Sequence, residues 1–223
     1  MNKNIDYIKN KTIFTFWTGS NPMSDQRSSC LENLRKNSGG SILLVTPSNL
    51  SSFILKNHPL HPCYEYLCET HKSDYLRTYF MHFYGGGYSD IKSPGGSWIN
   101  AFEDLDHHPT AIINGYPETR PEDVGYKPYD CFYDLLLGNC SYICRPNTPF
   151  TKIWYEEMIK FIDSRGELLK KYPSTFPQDC SEKKTGYPIG WTELLGQIFH
   201  KHLMKFLPQL LYSVPRPICT NYR

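Results

Sequence analysis

Two continuous apolar runs, TIFTFW (residues 12–17) and SILLV (41–45), are too short for buried helices and read as buried strands. Between them SDQRSSCLENLRKN (24–37) reads as a helix with Ser24 as its N-cap. TPSNLSSFILKN (46–57) reads as another, with Pro47 in the first turn. The strongest helical period is CYEYLCETHKSDYLRTYFMHFY (63–84). At about 100° per residue, Tyr64, Cys68, Tyr75, Leu76, Tyr79, Phe80 and Phe83 share one arc. Asp74, Thr78 and Met81 lie opposite, with Arg77 flanking. Gly85, Gly86 and Gly87 stop this helix, and GYSDI (87–91) is short and extended.

Further on, TAIINGY (110–116) and NCSYICRP (139–146) are strand candidates. TPFTKIWYEEMIKFIDSRGELLKK (148–171) is an amphipathic helix whose Phe150, Trp154, Met158 and Phe161 form a core stripe. GYPIGWTELLGQIFHKHL (186–203) and QLLYSVPRPI (209–218) predict a helix, a strand and a proline-rich end. Alternating strands and helices predict an α/β fold in a single domain spanning 1–223. Ligands of such sheets gather at the C-terminal ends of the strands.

Charge narrows the function. The chain has 24 Lys and Arg against 22 Asp and Glu, a net +2, with no basic run. That excludes a dedicated nucleic-acid binder, which concentrates positive charge. No apolar run approaches the roughly 20 residues of a membrane span. The opening MNKNIDYIKNKTIFTFW lacks the apolar centre of a secretory leader, so a cytoplasmic location is expected. Eight cysteines without a CxxC pair then read as reduced thiols, and zinc would want tighter ligand spacing. The 17 tyrosines are rings that line sugar or base sites or fill a core.

The candidate chemistry sits in HKSDYLRTYFMHFYGGGYSDIK (71–92). Its Ser73, Asp74, Arg77, Gly86, Gly87, Tyr88 and Asp90 resemble the signature of the Och1-like and capsular-polysaccharide-synthesis glycosyltransferases, which carry a sugar-binding D-x-D region. IFTFWTGSNPM resembles that family's opening strand and Trp-x-Gly loop. LLGNCSYICRPNTPFTKIW is similar, more loosely, to its later strand and helix. Roughly residues 12–160 are covered. The resemblance implies a GT-A fold, a Rossmann-like mixed sheet flanked by helices. Residues of about 12–92 would bind the donor and about 93–223 the acceptor. It implies a nucleotide-sugar donor, UDP-linked first and GDP-linked second, and transfer to a glycan hydroxyl.

The resemblance also implies roles. Phe16 and Trp17 would border the base. Asp74 and Arg77 would touch ribose, sugar or pyrophosphate, with Gly86, Gly87 and Tyr88 beside them. Asp90 would sit at the diphosphate and its Mn²⁺ or Mg²⁺. Here the sequence departs from D-x-D, because Lys92 stands where the second carboxylate would be. A protonated lysine cannot ligate a metal. Asp90 either holds the ion alone, or the Lys92 ammonium supplies part of its charge, so weak or partial metal dependence is expected. Asp74 and Arg77 could equally be an i,i+3 surface pair. For the acceptor, Glu193 in YPIGWTELLG, near Tyr187 and Trp191, is the candidate general base. A carboxylate favoured by the helix dipole is its other reading. Glu118 is the second candidate, with Asp130 and Asp134 behind it. His200 and His202 either complete a metal shell or sit on a solvated helix end. The competing functions are a non-catalytic nucleotide-sugar or glycan-binding module and a nucleotidyltransferase.

Overall fold

In the computed structural model, which describes residues 6–222, Thr12–Phe16 forms the fully buried strand β1. Residues 1–5, on which part of the leader reading falls, and Arg223 lie outside the described residues. Side chains alternate along β1. Phe14 and Phe16 enter one core, and Ile13 enters another on the opposite face. Helix α1 (Asp25–Asn37) begins at Ser24, whose hydroxyl accepts from the Arg27 N–H at 3.2 Å, as its N-cap reading expects. Strand β2 (Ser41–Val45) follows at the sheet edge, where only Val45 is fully buried, so SILLV is an edge strand rather than the buried one its apolar run predicts.

Next come helix α2 (Glu69–Phe83), strand β3 (Gly86–Ser89), helix α3 (Ile99–His107), and strands β4 (Ile113–Pro117) and β5 (Leu137–Cys144). Helix α4 (Pro149–Lys171), helix α5 (Gly196–Leu203) and strand β6 (Leu210–Leu211) complete the order. The six strands form one sheet in the order β2-β1-β3-β5-β4-β6. β1 is parallel to β2 and β3, β5 is antiparallel to β3 and β4, and β6 is parallel to β4. The C-terminal ends of β1, β2, β3 and β4 therefore share one edge with the start of β5. That edge brings together Trp17, Thr46, Asp90, Glu118 and Asn139, which are far apart along the chain.

Helices cover both faces, the mixed α/β sheet the sequence predicts. Trp98, Ala101, Phe102 and Leu105 at α3 pack on Ile13 and Ile143. On the other face Tyr142, Trp154 and Phe199 form an aromatic centre, with Trp154 and Phe199 centroids 4.9 Å apart in an edge-to-face contact. Burying each such ring contributes about 1.5–3 kcal/mol.

Several elements differ from their expected spans. The helix expected over 46–57 is only a 3-10 turn at Leu50–Phe53. The Asn49 side chain accepts from the Thr46 N–H at 2.9 Å, and this local bond competes with helix formation. The helix expected over 63–84 is broken by extended residues at Leu67 and Cys68, and α2 starts at Glu69. Its two arcs are both enclosed: Asp74, Arg77, Thr78 and Met81 are as buried as Tyr75 and Tyr79. Near the end, only Gly196–Leu203 of 186–203 is α-helical, and only Leu210–Leu211 of 209–218 joins the sheet.

Candidate active site

Asp90 follows directly from β3 at the shared strand edge, and its backbone N–H donates to the Cys140 carbonyl of β5 at 2.8 Å. One carboxylate oxygen accepts from the Tyr88 hydroxyl at 2.5 Å and lies 3.2 Å from Arg77 Nη2. The other accepts from Lys92 Nζ at 2.9 Å. Arg77 reaches across from α2. Its Nη2 is 3.2 Å from Asp74 Oδ1, its Nη1 donates to the Asn139 carbonyl at 2.8 Å, and its guanidinium lies 4.3 Å over the Tyr88 ring. The pair Asp74–Arg77 is thus not a surface pair: both side chains are under a tenth exposed. Lys92 is also buried, and its ammonium donates to Cys140 Sγ at 2.9 Å.

Burial and charge pull the two carboxyls apart. Burial raises Asp74 to about 7, because Arg77 only partly offsets it and the Asp90 charge opposes ionisation. Burial pushes Asp90 up as well, but the Lys92 and Arg77 cations and the bonds from Tyr88 and Lys92 outweigh it. Asp90 stays well below the usual carboxylate range. Burial would lower Lys92, yet Asp90 and Cys140 hold its ammonium charged. The site therefore carries two fixed cations, one fixed anion and one carboxyl near half-protonation at neutral pH.

The same strand edge carries a cavity of about 130 Å³ lined by Trp17, Val45, Thr46, Leu50, Tyr64 and Leu76, among others. It lies beyond the ends of β1 and β2. A dry cavity of ~150 Å³ accepts one small aromatic ring. Trp17 also packs against the small apolar group of Cys30, Leu31 and Ile91, so it stands between the cavity and the segment that carries Asp90 and Lys92.

The other residues singled out in the sequence distribute as follows. Phe16 points into the core, stacked on Tyr88 at 5.6 Å and edge-on to Phe80 at 5.0 Å. Gly86 and Gly87 sit at the far end of β3 from Asp90, enclosed between β1 and β5. Gly85 and Gly86 take φ +65° and +84° to turn α2 into β3, and a Cβ on Gly85 would stand 2.5 Å from Pro146 Cδ. Their backbone is thus used by the fold and faces away from the Asp90 cluster. Glu193 accepts from the Gly190 N–H of its own turn at 2.6 Å. Tyr187 is buried and bonded to His71 Nδ1 at 2.9 Å, while Trp191 is 42% exposed. Asp130 and Asp134 lie on a 3-10 stretch, Lys127–Leu135.

Neither histidine reading survives. His200 is fully buried, accepts from the Gly125 N–H at 2.9 Å and faces the Leu137 carbonyl. Burial lowers it to about 4. His202 is buried against Glu157. Glu118, in contrast, is at the shared edge. Its backbone caps the start of β5, and burial together with Asp123 raises its carboxyl to about 7 against the pull of Arg216.

Five residues at the site carried no local sequence signal. Tyr116 on β4 places its hydroxyl 3.4 Å from the Cys140 N–H. Arg27 of α1 donates to the Ile91 carbonyl at 2.8 Å. The Tyr222 ring lies between the Arg27 guanidinium, 4.7 Å away, and the Lys92 ammonium, 4.9 Å away. Cys140 Sγ accepts from Lys92 Nζ at 2.9 Å, and Cys219 follows Ile218, whose N–H bridges to Ser93. Each pairing joins segments dozens of residues apart, so no spacing could announce it.

This donor set does not fit a carboxylate-held divalent cation. Both Asp90 oxygens are taken by Tyr88, Arg77 and Lys92. Among the described residues no group of three His, Cys, Asp or Glu side chains converges to hold a metal. Among the same residues no helix is long and apolar enough to cross a membrane.

No protein-family model and no curated protein matches the chain. Among solved structures it is similar to one titled "PaToxG Glycosyltransferase", with a TM-score of 0.53 and 15% identity over 89% of this chain and 70% of that one. At that identity the likeness establishes the fold: a mixed α/β sheet flanked by helices, of the glycosyltransferase type.

Proposed function

We propose that the chain is a glycosyltransferase that moves a sugar from a nucleotide-diphosphate sugar, UDP-linked first and GDP-linked second, to a hydroxyl of a glycan acceptor. The observation that carries this reading is the pairing of a ring-sized cavity at Trp17 with the Arg77–Asp90–Lys92 cluster, at the strand edge where α/β sheets bind ligands. The base enters the cavity and the diphosphate lies along the cluster. The glycosyltransferase-type fold supports it.

The leaving diphosphate gains negative charge as the sugar departs. Preorganised cations answer that charge at no cost in reorganisation. Lys92 and Arg77 supply them here, and Asp90 holds both in place. Asp74, raised to about 7, is suited to a sugar hydroxyl, because a half-protonated carboxyl both donates and accepts. For the acceptor proton we favour Glu118 over Glu193. A base works best with a pKa near the working pH, and Glu118 stands at the shared edge at about 7. Glu193 is committed to its own turn.

One observation favours the second reading, a binding module without catalysis: Lys92 and Arg77 are both already paired with carboxylates. A panel of UDP-, GDP- and CMP-sugars tests both. UDP or GDP should raise the melting temperature by mass action, and slow release of nucleoside diphosphate should accompany binding. Binding without release selects the module. No shift with any nucleotide at millimolar concentration removes the transferase and the nucleotide-sugar module alike.

A further inference from the structure

Between α4 and α5, residues 173–195 form neither α-helix nor strand, yet bonds hold them closely. Asp179 is fully buried, and its carboxylate accepts from the Thr175 N–H at 3.0 Å, the Thr175 hydroxyl at 3.1 Å and the Thr185 hydroxyl at 2.8 Å. The Ser181 N–H donates to the Ile189 carbonyl at 2.8 Å. The following turn is pinned twice: Glu193 accepts from the Gly190 N–H, and Glu182 accepts from the Trp191 N–H at 3.1 Å. A buried carboxylate is costly unless its hydrogen bonds are made, so these bonds select one loop shape. On that frame Phe176 and Trp191 are exposed. They line one cleft of about 660 Å³, with Gln178, Glu182 and Lys183 around them. A single exposed ring needs no explanation. Two rings with a few polar groups at one cleft are the lining of a ligand site.

The cleft adjoins the candidate active site at two points. The Pro177 carbonyl, at the cleft, accepts from the Thr70 N–H at 3.1 Å in the first turn of α2. Lys72 of the same turn lines the Trp17 cavity, so the two hollows flank one helical turn. Asp74 and Arg77 lie about 6 Å and about 10 Å beyond Thr70 along that helix. From the other side, Trp191 leads into α5, whose first residue, Gly196, packs on Asn139: a Cβ there would stand 3.6 Å from Asn139 Nδ2. The Asn139 carbonyl is the one that holds Arg77.

We propose that this cleft is a subsite for a neutral acceptor glycan, whose sugar rings stack on Trp191 and Phe176 while their hydroxyls meet Gln178, Glu182 and Lys183. A pyranose ring has an apolar C–H face and a rim of hydroxyls that both donate and accept. The two aromatic rings take the face. The Glu182 carboxylate accepts from hydroxyls, the Lys183 ammonium donates to them, and the Gln178 amide does both. The one anion and one cation of the lining cancel, which suits a neutral saccharide better than an anionic one. A glycan held here extends along α2 towards Arg77 and Asp90. Its role as acceptor rests on the function proposed above; the binding of glycan in the cleft does not.

Trp191 is exposed, whereas Trp98 and Trp154 are buried and Trp17 is part-buried at the other cavity. The Trp191 indole N–H signal, assigned with Trp191→Phe, is therefore followed by NMR. Neutral trisaccharides of glucose, mannose, galactose and N-acetylglucosamine are added to about 10 mM, and calorimetric UDP binding is measured on the same preparation. At least one saccharide should move the Trp191 signal saturably. By calorimetry, Trp191→Ala and Phe176→Ala should each weaken that saccharide by about tenfold. The same saccharide should speed UDP release from one of a panel of UDP-sugars by at least about tenfold. A Trp191 signal unmoved by every saccharide, or affinity unchanged in both variants, overturns the cleft. A shift with a serine- or threonine-containing peptide and with no saccharide overturns it in favour of a protein acceptor. Saccharide and UDP both binding without faster UDP release overturns the acceptor role. UDP failing to bind counts against the donor-site reading instead, while the Trp191 signal and the two variants still decide the cleft.

Discussion

Asp90 and Glu193 are both carboxylates at the start of a turn, and both were candidates for chemistry. Their surroundings differ. Asp90 is held by Arg77 from α2, Tyr88 from β3 and Lys92 beyond it, with Cys140 of β5 behind. Glu193 is held by the N–H of Gly190, in the same turn. A local cap explains Glu193 completely. Nothing local explains Asp90, because enclosing several charges is costly and a well-packed apolar set of the same volume is often as stable. A buried charge cluster assembled from distant segments is the stronger mark of function, and the difference can be tested from both sides.

The largest effect is expected at Arg77. Arg77→Ala leaves Asp74 and Asp90 facing each other without their shared cation. Breaking a buried ion pair from one side costs about 3–5 kcal/mol, so urea unfolding should show a loss of that size. A loss under about 1 kcal/mol would mean that water already screens the cluster. Asp90→Asn comes next. It frees Lys92 and Arg77 from their common anchor, and the rate of donor cleavage should fall by about 10² to 10³. Stability should fall as well, because both cations lose a partner. A folded Asn variant with wild-type turnover would make Asp90 purely structural.

A smaller effect is a pH dependence at Asp74. The unfolded chain releases this proton near its ordinary value of 3.8, whereas the folded chain keeps it to about 7. Between those values the folded state binds more protons, so this group's contribution to stability falls as pH rises. Asp74→Asn removes that slope. The variant should therefore gain on wild type as pH rises from about 4 to about 7, with the difference level above that, read from urea midpoints. A constant difference would show that Asp74 ionises normally. Smallest of all is Glu193→Gln, which should change donor cleavage and transfer by no more than about twofold, within roughly 0.5 kcal/mol. Tenfold slower transfer with unchanged folding would restore Glu193 as the base and displace Glu118.

Much of the fold was legible because its signals are local. Thr148 caps α4 by accepting from the Thr151 N–H, and Phe150, Trp154 and Met158 of the expected stripe are fully buried, while Phe161 is only half-buried and Ile162 takes the next buried position. β1 and β2 lie where their apolar runs place them. At the site, the segment 74–92 was legible as a motif, and Asp74, Arg77, Tyr88, Asp90 and Lys92 do converge. What stayed hidden depends on strand order. Cys140 and Tyr116 reach the edge only because β5 is antiparallel between β3 and β4. Tyr222 arrives only because the end of the chain folds back. The three glycines end α2 as their reading expects, and tight packing against Pro146, Ile13 and Trp98 leaves Gly85 and Gly87 no room for a side chain.

The central claim is that protein cations, rather than a carboxylate-held metal, answer the charge of a departing nucleoside diphosphate. It is tested most directly by measuring UDP release from a panel of UDP-sugars, with EDTA or with Mn²⁺, for wild type and Lys92→Ala. The account predicts release that survives EDTA in wild type, drops by about 10² or more in Lys92→Ala, and is not recovered by Mn²⁺. Release that requires Mn²⁺ and is indifferent to Lys92→Ala would contradict it.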